Sequence, residues 1–143
     1  MQAYLPYTVL LSLLSPLLSG VYIGLFCQRE VIAARVGVGA MLLSVIAAFV
    51  SLFLFYTGSA VFYEVLLFSW ITVGDFSCDM GLWIDGLSMV MLLMVSFISM
   101  LVHWYSTAYM QDDSGFIRFF SLISLFTFAM LQLVMTNTLL GLF

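Results

Sequence analysis

Four apolar runs decide what this chain is able to become. Residues 5–26, 36–56, 87–107 and about 119–135 each approach the ~20 residues that a helix needs to cross the hydrocarbon core of a bilayer. Only the third run holds an ionisable group away from its ends, His103. With 65% of the 143 residues hydrophobic and 7% charged, and a mean hydropathy of +1.25, a soluble core has no room for the apolar surface. The expected fold is an all-α polytopic membrane protein, a single membrane domain over 1–143 with four transmembrane helices. The start of a fifth is expected in "LLGLF", residues 139–143. The first run is expected to remain as a helix rather than leave as a signal peptide: no basic residue precedes it, its apolar stretch is long, and Pro16 interrupts it. Pro16 removes one helical hydrogen bond, a defect that Ser12 or Ser15 is placed to relieve in part.

Charge sets the orientation. Seven acids against three arginines, with no lysine, give a net charge of −4 and leave no basic surface for nucleic acid. Arg29 and Arg35 lie between the first two runs and Arg118 between the last two. Loops 27–35 and 108–118 are therefore expected on the cytoplasmic or matrix side, and the amino terminus outside. The connection from Thr57 to Asp85 has no base and carries Glu64, Asp75, Asp79 and Asp85, which places it on the outer side. Within it, "EVLLFSWITV" is rich in β-branched and aromatic residues, "GDFSCDMG" supplies turn formers and "LWI" follows. That order predicts a short β-hairpin over about 64–84 on the membrane surface, the alternative being a half-inserted interfacial segment. Cys27 and Cys78 then fall on opposite sides, so no disulfide between them is expected. They form no CxxC or Cys/His cluster that would bind a metal.

Small residues at helical spacing mark close helix contacts. The second run carries Gly37, Ala40, Ser44, Ala48 and Ser51, and the first contains "GVYIG", a GxxxG from Gly20 to Gly24. The third has a different stripe: Ser88, Ser96, Ser99, His103 and Ser106 fall roughly on one face. Such a face either packs on another helix through hydroxyls or lines a hydrated cleft, and Ser121, Ser124 and Gln132 of the fourth run are its expected partners. If Asp85 caps this helix, a rise of about 1.5 Å per residue puts His103 roughly 27 Å deeper, near the inner boundary of the bilayer core. Beside Trp104, Tyr105 and Tyr109 the histidine reads either as part of an aromatic belt or as a proton relay, since an imidazole exchanges protons near neutral pH. The four runs contain no Asp, Glu or Lys away from their ends, no nucleophile with a base, no phosphate-binding glycine loop and no pair of membrane histidines for haem.

One stretch carries a family resemblance. "IDGLSMVMLLMVSFISMLVHWYSTAYMQDDSGFIRFF" opens with "DGLS", continues through His103, Tyr105, Ser106, Tyr109 and Met110, and closes on "RFF" at 118–120. In that order it resembles the amino-terminal part of the largest antiporter-like subunits of respiratory complex I, chain 5 or subunit L of NADH:quinone oxidoreductase. "WITVGDF" at 70–76 also fits, whereas residues 1–55 agree only in hydropathy and helix count. The specific resemblance is thus expected over about half the chain. Thr136 departs from the acidic residue often seen before the position of Asn137.

The resemblance implies a part in the proton-translocating membrane arm of that complex, where redox energy released in the peripheral arm drives protons through antiporter-like subunits. It implies the other membrane subunits and the lipid bilayer as partners, in a bacterial or mitochondrial inner membrane. In that family the proton path depends on a glutamate in the fifth helix and lysines in later broken helices. This sequence holds none of those positions, so a fragment or one piece of a split subunit is implied. NADH, flavin, iron–sulfur clusters and quinone belong to other subunits, so this chain is expected to bind no cofactor and no metal and to catalyse nothing alone. His103 is the proton-pathway candidate; Asp85 and Arg118 are structural or interfacial candidates. Two other readings stand beside this one: the large subunit of a multisubunit cation/proton antiporter, from which the histidine is not expected, and a small multi-pass membrane scaffold.

Overall fold

The computed structural model describes residues 4–58, 62–73, 76–110 and 114–136. Four helices, α1 (Leu5–Phe26), α2 (Glu30–Thr57), α3 (Gly86–Tyr109) and α4 (Phe116–Met135), are joined between α2 and α3 by a hairpin of β1 (Phe62–Val73) and β2 (Phe76–Asp85). Each helix is long and apolar enough to cross a membrane. The expected beginning of a fifth helix at 139–143 lies outside the described residues. The second helix starts six residues before its apolar run: Glu30 and Arg35 sit in its first turns. At about 1.5 Å per residue its 28 residues exceed a bilayer core of about 30 Å. Those charged turns therefore project beyond the lipid at no cost to the helix.

In the bundle α1 packs on α2 and α4, α3 packs on the same two helices, and α2 and α4 also touch. The interior is layered. Toward the hairpin Leu5, Val9, Leu13, Ala48, Leu92, Leu131 and Met135 form one apolar cluster; toward the opposite end Ile23, Ala33, Phe116 and Phe120 form another. Between these positions along the helices fall Ser15, Ser19, Ser44, Ser124 and Thr127, all buried, with Ser12 beside Leu13 at the edge of the first cluster. Leu18, Phe49, Phe53 and Phe126 are each more than 60% exposed, as a lipid-facing surface requires.

The GxxxG of α1 meets α4. A Cβ on Gly20 would stand 3.0 Å from Leu125 Cγ, and one on Gly24 only 2.7 Å from Ser121 Oγ. The absent side chains let the backbones approach closely enough for Ser121 Oγ to donate to the Gly20 carbonyl at 2.8 Å.

The hairpin is antiparallel from Phe62↔Asp85 to Val73↔Phe76, with irregularities between Leu66 and Phe68 and between Ser69 and Ile71. Its base is anchored in the bundle: Leu82 and Ile84 are fully buried in the first of these apolar clusters, and Leu82 bridges to Thr136, just past α4. This gives the strands a covering partner, the condition for a two-stranded unit to hold together.

Asp85 ends β2 and caps α3, accepting from the Ser88 backbone N–H at 2.7 Å. Hydrogen bonding from Ser88 holds its carboxyl below the ordinary value of 3.8. A carboxylate with a lowered folded pKa stabilises above its unfolded pKa, and that stabilisation is lost as pH falls through the folded value. Asp85→Ala is expected to cost about 1 kcal/mol at neutral pH, whereas Asp85→Asn keeps the cap and removes the acid dependence. Thermal unfolding in detergent at pH 7 and pH 3 checks both; equal pH responses of the wild type and the asparagine variant would refute the cap's ionic character.

Candidate functional site

A helix turns about 100° per residue, so residues 96, 103 and 106 of α3 share one side while 104, 105 and 109 face elsewhere. Ser96, His103 and Ser106 are buried, and Trp104, Tyr105 and Tyr109 are 63%, 70% and 73% exposed. The histidine thus lies inside the bundle and its aromatic neighbours outside it. Of the expected partners on α4, Ser124 reaches the imidazole, Ser121 turns to α1, and Gln132 is half-buried.

Both ring nitrogens are engaged. His103 Nδ1 lies 2.8 Å from the Ser99 carbonyl oxygen, and Nε2 lies 3.1 Å from Ser124 Oγ. A carbonyl only accepts, so Nδ1 carries a proton in this geometry. Ser124 Oγ also lies 2.8 Å from the Phe120 carbonyl oxygen, giving its single proton two places to point. The ring packs edge-on against Phe120, centroids 5.7 Å apart, and Phe120 stacks on Phe116 at 4.6 Å. Phe120 in turn rests on Gly37 of α2, where a Cβ would stand 2.9 Å from Phe120 Cδ1. Ring contacts thus run from the histidine through Phe120 to Phe116, which lines an open groove of about 900 Å³ between the ends of α2 and α3 farthest from the hairpin, together with Glu30, Arg35, Gly39 and Trp104.

Most buried hydroxyls donate to a carbonyl of their own helix: Ser12 to Val9, Ser19 to Pro16, Ser51 to Ala47, Thr127 to Ile123. Ser44 of α2 crosses instead to the Ser12 carbonyl of α1 at 2.7 Å. That carbonyl is the one that Pro16, lacking an N–H, leaves without its helical donor. Ser15 lies farther from it, at 3.3 Å, and the Ser12 hydroxyl turns to Val9, so the relief comes chiefly from the neighbouring helix. Ser96, two turns from His103 toward the hairpin, is the buried side-chain hydroxyl without a partner among the described residues.

The remaining candidates lie at helix starts: Asp85 at the cap of α3, and Arg118 exposed in the first turn of α4. Among the described residues, His103 is the only buried titratable side chain, and no three His, Cys, Asp or Glu come together as a metal site would need.

Comparison with known proteins gives this geometry a setting. The family described as NADH-Ubiquinone oxidoreductase (complex I), chain 5 N-terminus, matches residues 70–120. The chain is similar to NADH-quinone oxidoreductase subunit L of Rickettsia bellii, 38% identical over 132 residues, covering 92% of this chain and 21% of that protein. The Campylobacter jejuni subunit L is 38% identical over 134 residues, with 94% and 21% covered. The Escherichia coli subunit L is 35% identical over 133 residues, with 91% and 22% covered. The similarity reaches through α1 and α2, well beyond the half of the chain whose motifs announced it. The chain spans about a fifth of the length of the curated relatives it matches.

Proposed function

Because the chain belongs to the family of NADH-quinone oxidoreductase subunit L, whose amino-terminal segment it matches, we propose that it supplies the opening helices of a proton-translocating membrane subunit in that complex. Its setting is an energy-transducing membrane, with the other membrane subunits and the lipid as neighbours. The amino terminus lies outside and the arginine-bearing connections lie on the cytoplasmic or matrix side. Electron transfer, with NADH, flavin, iron–sulfur clusters and quinone, belongs to other subunits.

The observation that carries the proton role is the burial of His103 with a hydrogen-bond partner on each nitrogen. Ionisable groups are costly within a bilayer, and those that face a bundle interior characteristically line proton or ion paths. His103 stands beside such a path and holds a proton in passage.

The test is His103→Gln in the complete subunit, in the assembled complex reconstituted into vesicles. Glutamine keeps hydrogen-bonding capacity and loses the ability to ionise. Protons moved per NADH oxidised should fall while assembly and NADH oxidation by the peripheral arm persist. Unchanged pumping would reduce His103 to a packing residue.

A further inference from the structure

We infer that Ser124 is a positioning residue for proton transfer at His103: its hydroxyl is a rotor that completes the hydrogen bonding of the imidazole in both protonation states. This rests on the proton-pathway reading of His103.

With the Nδ1 proton held by the Ser99 carbonyl, the neutral ring presents a lone pair at Nε2, and the Ser124 hydroxyl donates to it. In the protonated ring Nε2–H becomes a donor, and Ser124 Oγ accepts. The hydroxyl proton then turns to the Phe120 carbonyl, 2.8 Å away. Neither state leaves a ring nitrogen unpaired, and no heavy atom has to move between them. Since an unpaired buried donor is what makes a buried charge expensive, the rotor keeps both states accessible at one position.

The same geometry names the point of entry. The Nε2 lone pair faces Ser124 Oγ, so a proton brought by water, as hydronium, reaches the ring through the hydroxyl. Oγ takes up the incoming proton as its own moves to Nε2. The O–H it retains turns toward Phe120, and the water leaves neutral. One proton is gained by the imidazole and one lost by hydronium; the serine is unchanged. Approach from the inner side meets the rings of Phe116 and Phe120. On the outer side of the same face stands the unpartnered hydroxyl of Ser96. No Asp, Glu, Lys or Arg among the described residues is buried with the ring. Ser124 is therefore the polar side chain that faces Nε2.

Ser124→Ala, Ser124→Thr and His103→Gln are compared in the assembled complex in vesicles, reading protons moved per NADH and NADH oxidation separately. The alanine variant is expected to lose pumping to the level of the glutamine variant, and threonine, which keeps the hydroxyl, to stay near wild type. Combining Ser124→Ala with His103→Gln should lower pumping no further. If Ser124→Ala pumps normally while His103→Gln does not, the rotor is overturned and the histidine path stands. If His103→Gln pumps normally, the path falls and the rotor with it. Threonine as poor as alanine would show that the site needs the shape of serine rather than its hydroxyl, and would also overturn the proposal. Should the alanine variant fail to assemble, Ser124→Gly takes its place, which likewise removes the hydroxyl, with the same outcomes.

Discussion

Gly37→Leu should destabilise the bundle by about 3 kcal/mol, the upper part of the range for overpacking a filled interior. The reason is the ring of Phe120: a Cβ at position 37 would already stand 2.9 Å from Cδ1, with Ile23 Cδ1 at 3.5 Å. Phe120 is fully buried, stacked on Phe116 and set against His103, so it has no free direction in which to yield. Gly39→Leu, two residues along the same helix, is the control. Nothing lies within 4 Å of a Cβ there, and replacing a helical glycine removes a propensity penalty of about 1 kcal/mol. Reversible unfolding in mixed micelles should separate the two variants sharply. Equal stabilities would mean that Phe120 does not rest on Gly37.

The second expectation concerns a missing hydrogen bond. Ser44→Ala should cost about 1–2 kcal/mol, because the Ser12 carbonyl loses its donor at 2.7 Å and keeps only the longer contact from Ser15. That range spans a lost buried hydrogen bond and the lower values measured within membranes. Pro16→Ala restores the amide that a regular helix would offer to the same carbonyl. In that background Ser44→Ala should cost less than about 0.5 kcal/mol. The double-mutant cycle measures this coupling directly. Strict additivity would show that the two helices are not joined through this carbonyl.

Much of this architecture is written in periodicity. The apolar runs mark the helices because lipid tolerates little else over that length. The ridge from Gly37 to Ser51 marks a packed face, with Gly37, Ser44, Ala48 and Ser51 buried in it. Asp85 announces its cap because a carboxylate three residues before a free amide has one obvious use. The start of α2 was less legible: Glu30 and Arg35 look like loop residues when apolar runs are counted, yet a helix continues through charges once it leaves the hydrocarbon. His103 was ambiguous for a different reason. Its sequence neighbours are interfacial aromatics, and only the 100° rotation per residue separates its direction from theirs. The pairing of Ser44 with the carbonyl that Pro16 frees joins positions 32 residues apart, so no local pattern contains it. The same holds for Ser124 and His103, 21 residues apart. The stripe of α3 announced that a polar partner was needed, and only the packing chose which.

The hydroxyl layer between the two apolar clusters has a thermal consequence. In water, burying oil-like surface leaves a large heat-capacity signature, and stability bends steeply with temperature. Here the apolar surfaces of the helices leave lipid, not water, when they meet, and what joins them is side-chain packing, close backbone approach at Gly20 and Gly24, and a few interhelical O–H contacts such as those of Ser44 and Ser121. Once the helices are inserted, their association should therefore show little heat-capacity change and no cold-side loss of cohesion. The bundle would hold its shape over a wide span of growth temperatures and yield first where a donor is removed.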